Sequence, residues 1–172
     1  MLQITSNLEA ALRAVRQRKI SLPLWCDRVC INQKDLVERN HQVHLMRQIF
    51  VSTDFVNIWL GPDFSGAKDV FVTLHQLARG VTLPAILQSR PNNIAIDHVG
   101  DLTMMFEYPW WQRLWTIQEA LLAKRALVQC EPHVIDLETI MQAFELLWNQ
   151  LIQQSLLLQH ICGADTVQSL RR

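Results

Sequence analysis

Glu119 closes the stretch Tyr108-Pro109-Trp110-Trp111-Gln112-Arg113-Leu114-Trp115-Thr116-Ile117-Gln118-Glu119, where half of the chain's six tryptophans stand beside one arginine and one carboxylate. Pro109 suits the first turn of a helix, because its missing N–H would have no partner there, so the pattern predicts a helix from this point. At about 100° per residue, Trp111, Leu114, Trp115, Gln118, Leu121 and Leu122 share one face. Glu119 follows Trp115 by one turn, which sets its carboxylate at the edge of the apolar arc, where desolvation can raise its pKa. Two readings stand side by side. Glu119 is a functional carboxylate, or it belongs to a core helix and reaches water or an arginine, since structural pairs also perturb carboxylates.

A second polar group follows Leu22-Pro23-Leu24-Trp25-Cys26, a short apolar run that reads as a buried strand. In an open parallel sheet, ligands collect beyond the carboxyl ends of strands, so the residues from Asp27 to Gln33 form a candidate rim. Polar side chains in such a loop can also simply hold the turn. Other chemistry finds less support. Cys26, Cys30, Cys130 and Cys162 lack the paired spacing of a zinc site and read as free thiols, while His41 and His44 have no third ligand nearby, so no metal is expected. The segment from Gly61 to Lys68 fails as a P-loop because Ala67 separates glycine from lysine and Asp69 replaces the hydroxyl. With 5 glycines in the chain, a G-x-G-x-x-G turn is absent as well.

The elements that must position these residues alternate. Ser6-Asn7-Leu8-Glu9 has capping-box spacing and opens a helix to about Arg18. After the 22–26 strand, Asp35 and Glu38 repeat that spacing ahead of a helix carrying Leu36, Val43, Met46, Ile49 and Phe50. Phe55 to Leu60 reads as a second strand closed by Gly61-Pro62, and Ala67 to Arg79 as a helix with Val70, Phe71, Leu74 and Leu77. Helix, strand, helix, strand is the order of a parallel α/β sheet. Gly80 to Gly100 reads as an irregular, lid-like loop, and Asp101 as the cap of a short helix to Phe106. Ala126 to Cys130 is strand-like. From Asp136 a long helix carries Ile140, Met141, Phe144, Leu147, Trp148, Leu151 and Ile152 on one face, then continues apolar on several sides, which suggests burial against another subunit or further chain.

The 172 residues suit one domain with a real core. Lys plus Arg and Asp plus Glu balance at 16 each with no run of five like charges, so neither nucleic acid nor an anionic membrane is an expected partner. No apolar run reaches membrane-spanning length and no signal segment opens the chain, which predicts a soluble, cytoplasmic protein.

The block Leu24-Trp25-Cys26-Asp27-Arg28-Val29-Cys30-Ile31-Asn32-Gln33, followed by Glu38-Arg39, Gln42-Val43, Met46, Ile49-Phe50, Val56 and Trp59-Leu60-Gly61, resembles the fungal heterokaryon incompatibility (HET) domain. The stretch from Tyr108 to Glu119 matches that family's second block, with a Pro-Trp, an Arg-x-Trp and a Gln-Glu. The resemblance implies a filamentous-fungal protein of nonself recognition that triggers programmed cell death when different hyphae fuse. It makes Trp25, Cys30, Glu38, Arg39, Trp59, Gly61, Trp111 and Arg113 motif residues. HET domains are in turn distantly similar to TIR domains, which implies a TIR-like (flavodoxin-like), doubly wound parallel α/β sheet, here partial, with a HET domain over 1–132 and a helical extension over 133–172. The family pattern also begins with a strand ahead of the first helix, which is expected to be missing here, and has glycine where this chain has Glu131.

Some TIR domains hydrolyse NAD with a glutamate in a W-x-x-x-E helix, a spacing that Trp115 to Glu119 fits. The resemblance therefore implies NAD as substrate rather than bound cofactor, Glu119 as catalytic carboxylate, and Asp27, Asn32, Gln33 and Trp115 as ligand contacts. A carboxylate there would bond the ribose hydroxyls and stabilise the oxocarbenium-like charge that develops as nicotinamide leaves. Arg113 is expected on another helix face, paired with a loop carboxylate. The alternatives are a non-catalytic assembly module, self-associating or binding partner signalling domains through its C-terminal helix, and a truncated inactive fragment.

Overall fold

The computed structural model describes residues 4–17, 23–64, 66–89 and 98–169; at 17, 98, 99, 114, 115, 117, 118 and 156–169 the backbone alone is described. These residues form a mixed α/β fold that divides into two compact units, 1–70 with 96–137, and 71–95 with 138–172. Residues 71–95 group with the C-terminal helix in the second of these units.

The first unit is built on a three-stranded sheet in the order β1-β2-β3, from β1 (Val56–Gly61), β2 (Ala126–Cys130) and β3 (His133–Asp136). β1 and β2 run parallel with Ile58 opposite Val128, both fully buried, and the register shifts between Trp59 and Gly61. β3 returns antiparallel on β2, pairing His133 with Cys130 and Asp136 with Leu127. The expected parallel order is therefore realised in one pair, and β3 is an addition. Pro132 marked the end of a strand in sequence, yet the chain turns through Glu131 and Pro132, joined by a cis peptide, straight into the next. Arg125 clamps this hairpin by donating to both carboxylate oxygens of Asp136, at 2.6 and 2.8 Å.

The 22–26 strand is not formed. Leu22 lies outside the described residues, and 23–26 belongs to no helix or strand, with Cys26 extended and Leu24 exposed. An extended segment becomes a strand only when a neighbour takes up its N–H and C=O groups. This one turns instead into the four-residue helix α2 (Asp27–Cys30), which follows α1 (Ser6–Gln17). α1 is capped one residue earlier than its pattern suggested: Leu8 N–H donates to Thr5 Oγ1 at 3.2 Å, and Glu9 pairs with Arg13 rather than closing a box. Its Asn7 accepts from the Trp59 indole at 3.1 Å, which ties α1 to β1.

Asp35 caps α3 (Leu36–Ser52), accepting from Val37 and Glu38 N–H. On this helix Phe50 alone is fully buried, and Leu36 and Val43, read as core positions, are exposed. α4 (Ala67–Ala78) buries Val70, Phe71, Leu74 and Leu77 as its 3.6-residue spacing predicted. The 80–100 stretch is less irregular than expected. It contains α5 (Leu83–Gln88), capped by Thr82 with Pro84 in its first turn, while 90–97 lies outside the described residues. α6 (His98–Phe106) begins before Asp101, so Asp101 sits inside the first turn and its carboxylate leans on Gly66. Gly66 has φ +95°, and a Cβ there would meet Asp101 Oδ2 at 2.5 Å.

The second unit centres on α8 (Leu137–Ser169), where Ile140 and Ala143 are buried. Met141, Phe144, Trp148 and Leu151, spaced three and four apart, are exposed; Trp148 retains 65% of its accessible surface. No helix among the described residues is long and apolar enough to cross a membrane.

Candidate functional site

The motif opened by Pro109 does not start a helix there. Trp111, Gln112 and Arg113 N–H groups bond back to the carbonyls of Tyr108, Pro109 and Trp110, giving a tight turn, and α7 (Leu114–Leu122) begins afterwards with Arg113 as its N-cap. The buried Thr116 hydroxyl fixes the junction, lying 2.9 Å from the Trp110 carbonyl and 2.5 Å from that of Arg113. The turn frees Trp111 from the helical face assigned to it. Its ring packs on Phe106 and edge-on against Trp110, each at 4.8 Å between centroids. Tyr108 covers Gly61, where a Cβ would stand 3.2 Å from its ring, so the bulge in β1 needs glycine.

α7 lies beside α3 and against β1, and a cavity of about 650 Å³ opens here. Its apolar wall is Val43, Met46 and Phe50 from α3 with Leu121 and Leu122 from α7. Its charged groups are Asp27, Arg47, Arg113 and Glu119. Volume and lining are those of a small-molecule site, a mostly apolar pocket with a few convergent polar groups. Trp25 braces the wall through an edge-to-face contact with Phe50, 6.0 Å between centroids.

Burial raises the pKa of Glu119; the positive charge of Arg113 opposes that rise and the negative charge of Asp27 adds to it. The geometry thus joins two of the residues singled out from sequence, Glu119 and Asp27, which lie 92 positions apart. It adds Arg113, expected on a different face: as N-cap it stands off the helix proper and lines the same cavity as Glu119.

Asn32 and Gln33 do not line this cavity. Asn32 N–H donates to Glu38 Oε1 at 2.9 Å and its side chain accepts from Lys34 N–H, while Gln33 Nε2 donates to the Asp27 carbonyl at 3.0 Å. These bonds brace the turn that follows α2, and the one from Gln33 ties that turn back to Asp27. The Trp115 side chain lies outside the described residues. Cys30 accepts weakly from Cys26 N–H at 3.5 Å, and Arg39 is exposed on α3. Arg47 was missed from sequence. Its signal was present as the charged member of the Val43, Met46, Arg47, Phe50 stripe, which repeats three and four apart.

The family model for "Heterokaryon incompatibility protein (HET)" matches residues 1–119, well over half of the chain. The chain belongs to the HET family. Both motif blocks, and all nine residues that line the cavity apart from Leu121 and Leu122, fall within the matched HET segment. The chain is also similar to "Heterokaryon incompatibility protein 6, OR allele" of Neurospora crassa, 28% identical over an alignment 167 residues long that covers 78% of this chain and 25% of that protein. It therefore corresponds to about a quarter of that relative's length. No solved structure matches.

Proposed function

We propose that this HET chain serves fungal nonself recognition and programmed cell death in the cytoplasm, and that it does so by hydrolysing NAD in the cavity that holds Glu119. The observation that carries this reading is the shared cavity of Glu119, Asp27 and Arg113, with Glu119 partly desolvated. The similarity to an incompatibility protein supports the biological role, and the parallel β1–β2 pair supports a TIR-like arrangement. In this reading residues 1–132 carry the chemistry.

The reaction breaks the bond between the ribose anomeric carbon and the nicotinamide nitrogen. The bonding electrons leave with nicotinamide, and water adds to the anomeric carbon and loses a proton, giving ADP-ribose. Ionised Glu119 bonds the ribose hydroxyls and stabilises the positive charge that builds on the sugar. Asp27 offers a second acceptor for hydroxyls. Purified protein incubated with NAD is expected to release nicotinamide, and Glu119→Gln to lower the rate by about a hundredfold or more. Absence of release by the wild type at high protein concentration overturns the enzymatic reading.

A second reading rests on α8. Its exposed Met141, Phe144, Trp148 and Leu151 support an assembly surface over residues 133–172, toward another copy or a partner signalling domain. Toxicity in fungal cells that survives Glu119→Gln and is lost with Trp148→Glu and Leu151→Glu would favour assembly over catalysis.

A further inference from the structure

Arg47 and Arg113 reach one cavity from elements far apart in the chain, the middle of α3 and the head of α7. Among the described residues neither closes an ion pair; the described pairs are Arg13 with Glu9, Lys124 with Asp54, and Arg125 with Asp136. The cavity's two carboxylates close no ion pair with them among the described residues. Asp27 turns one oxygen back to its own helix, accepting from Arg28 N–H at 2.6 Å. Glu119 is only partly opposed by Arg113 in its tendency to hold a proton. Two exposed guanidinium groups that close no described ion pair stand beside an apolar wall and can take up an anion, and guanidinium matches phosphate through paired N–H donors. The start of α7 adds to this field, since its N-cap residue makes no side-chain capping bond and the first N–H groups of a helix favour negative charge.

We propose that Arg47, together with Arg113, holds the diphosphate of a nucleoside-diphosphate ligand in this cavity, which makes Arg47 the residue that selects phosphorylated over unphosphorylated nucleosides. The apolar side, Met46, Phe50 and Leu122, accommodates a ring of the same ligand, and Asp27 and Glu119 take the sugar hydroxyls. Naming the diphosphate deepens the NAD reading and rests on it for the identity of the substrate. The charge arrangement stands on its own for binding.

The test separates the two. ADP-ribose, which carries the diphosphate but has no bond left to cleave, is titrated into wild type, Arg47→Gln and Arg47→Lys by calorimetry. In parallel, nicotinamide release is followed from NAD and from nicotinamide riboside, which has the same glycosidic bond and no phosphate. Arg47 is exposed on α3, so both variants are expected to fold, with circular dichroism as the check. Arg47→Gln is expected to weaken ADP-ribose by about tenfold or more and to raise KM for NAD to match. It should also narrow the preference for NAD over nicotinamide riboside by the same factor, with Arg47→Lys intermediate. Unchanged ADP-ribose affinity in Arg47→Gln, or no ADP-ribose binding by the wild type at millimolar concentration, overturns the phosphate site. Equal loss for NAD and nicotinamide riboside overturns it too, because that marks a general structural effect. ADP-ribose binding that depends on Arg47 without any NAD cleavage retains the phosphate site and removes the catalytic reading.

Discussion

Arg113 and Glu119 sit at the N-cap and on the second turn of α7, line the same cavity, and influence each other by charge without closing an ion pair among the described residues. The arrangement leaves the carboxylate poised between two tendencies. Burial favours its protonated form, and the guanidinium favours its ionised form, with burial the larger.

That balance predicts a pH signature. The folded pKa of Glu119 lies above its ordinary value of 4.5, so the folded state holds this proton more tightly than the unfolded chain. Well below that value both states are protonated and Glu119 costs nothing. As pH rises toward the raised folded value the unfolded chain ionises first, and stability falls until both states are ionised. The Tm of Glu119→Gln minus that of wild type is therefore expected to be larger at pH 8 than at pH 4. Nicotinamide release, which needs the ionised form, should climb through the same window. Parallel Tm curves for the two proteins would contradict the raised pKa.

Thr116 is expected to matter for both stability and the site. Thr116→Val keeps the shape but removes the hydroxyl that meets the Trp110 and Arg113 carbonyls. A loss of about 0.5–1.5 kcal/mol is expected in urea unfolding, the net worth of a hydrogen bond, since both carbonyls keep a backbone partner in Arg113 N–H and Thr116 N–H. Because the same carbonyl belongs to the residue presenting the guanidinium, ADP-ribose affinity should fall as well. A stable variant with unaltered affinity would mean that the turn is held by other contacts.

Gly66 and Asp101 form a pair that a double-mutant cycle can read. Gly66→Ala faces both an unfavourable φ of +95° and the Asp101 carboxylate at 2.5 Å, and is expected to cost about 1–3 kcal/mol. Adding Asp101→Ala removes the clash but not the backbone strain, so part of the loss should return. Strict additivity of the two changes would show that the carboxylate moves aside without cost.

Asp35 caps the helix that supplies Arg47, Met46 and Phe50. Asp35→Ala is expected to lower stability by about 0.5–2 kcal/mol, and Asp35→Ser to recover most of it, since serine can accept the same N–H bonds. Thermal unfolding distinguishes them. Equal losses in both variants would point to the charge of Asp35 rather than its capping bonds.

Local signals served where the physics is local. The 3.6-residue spacing in 67–78, the Asp35 cap and the apolar runs that became β1 and β2 each depend on residues a few positions apart, and each was legible. The 22–26 run carried the same signal and failed, because a strand also needs a neighbour. β3 was hidden for the opposite reason: its four residues are too few to show alternation, and Pro132 reads locally as a stop. On α3, Leu36 and Val43 of the expected apolar face proved exposed, since which part of a stripe is covered depends on what packs there.

Sequence by itself determined the HET family, through two ordered blocks whose residue types are fixed along the chain, and it determined that Glu119 stands at the edge of an apolar helix. Tertiary structure alone decided what Glu119 faces. The turn at Tyr108 to Gln112 moved Arg113 to the helix head, the packing of α3 beside α7 brought in Arg47, and local bonds took up the side chains of Asn32, on Lys34 N–H, and of Gln33, on the Asp27 carbonyl. Periodicity reports the faces of one element at a time; a cavity is made by faces of several, and its charge balance exists only once they meet.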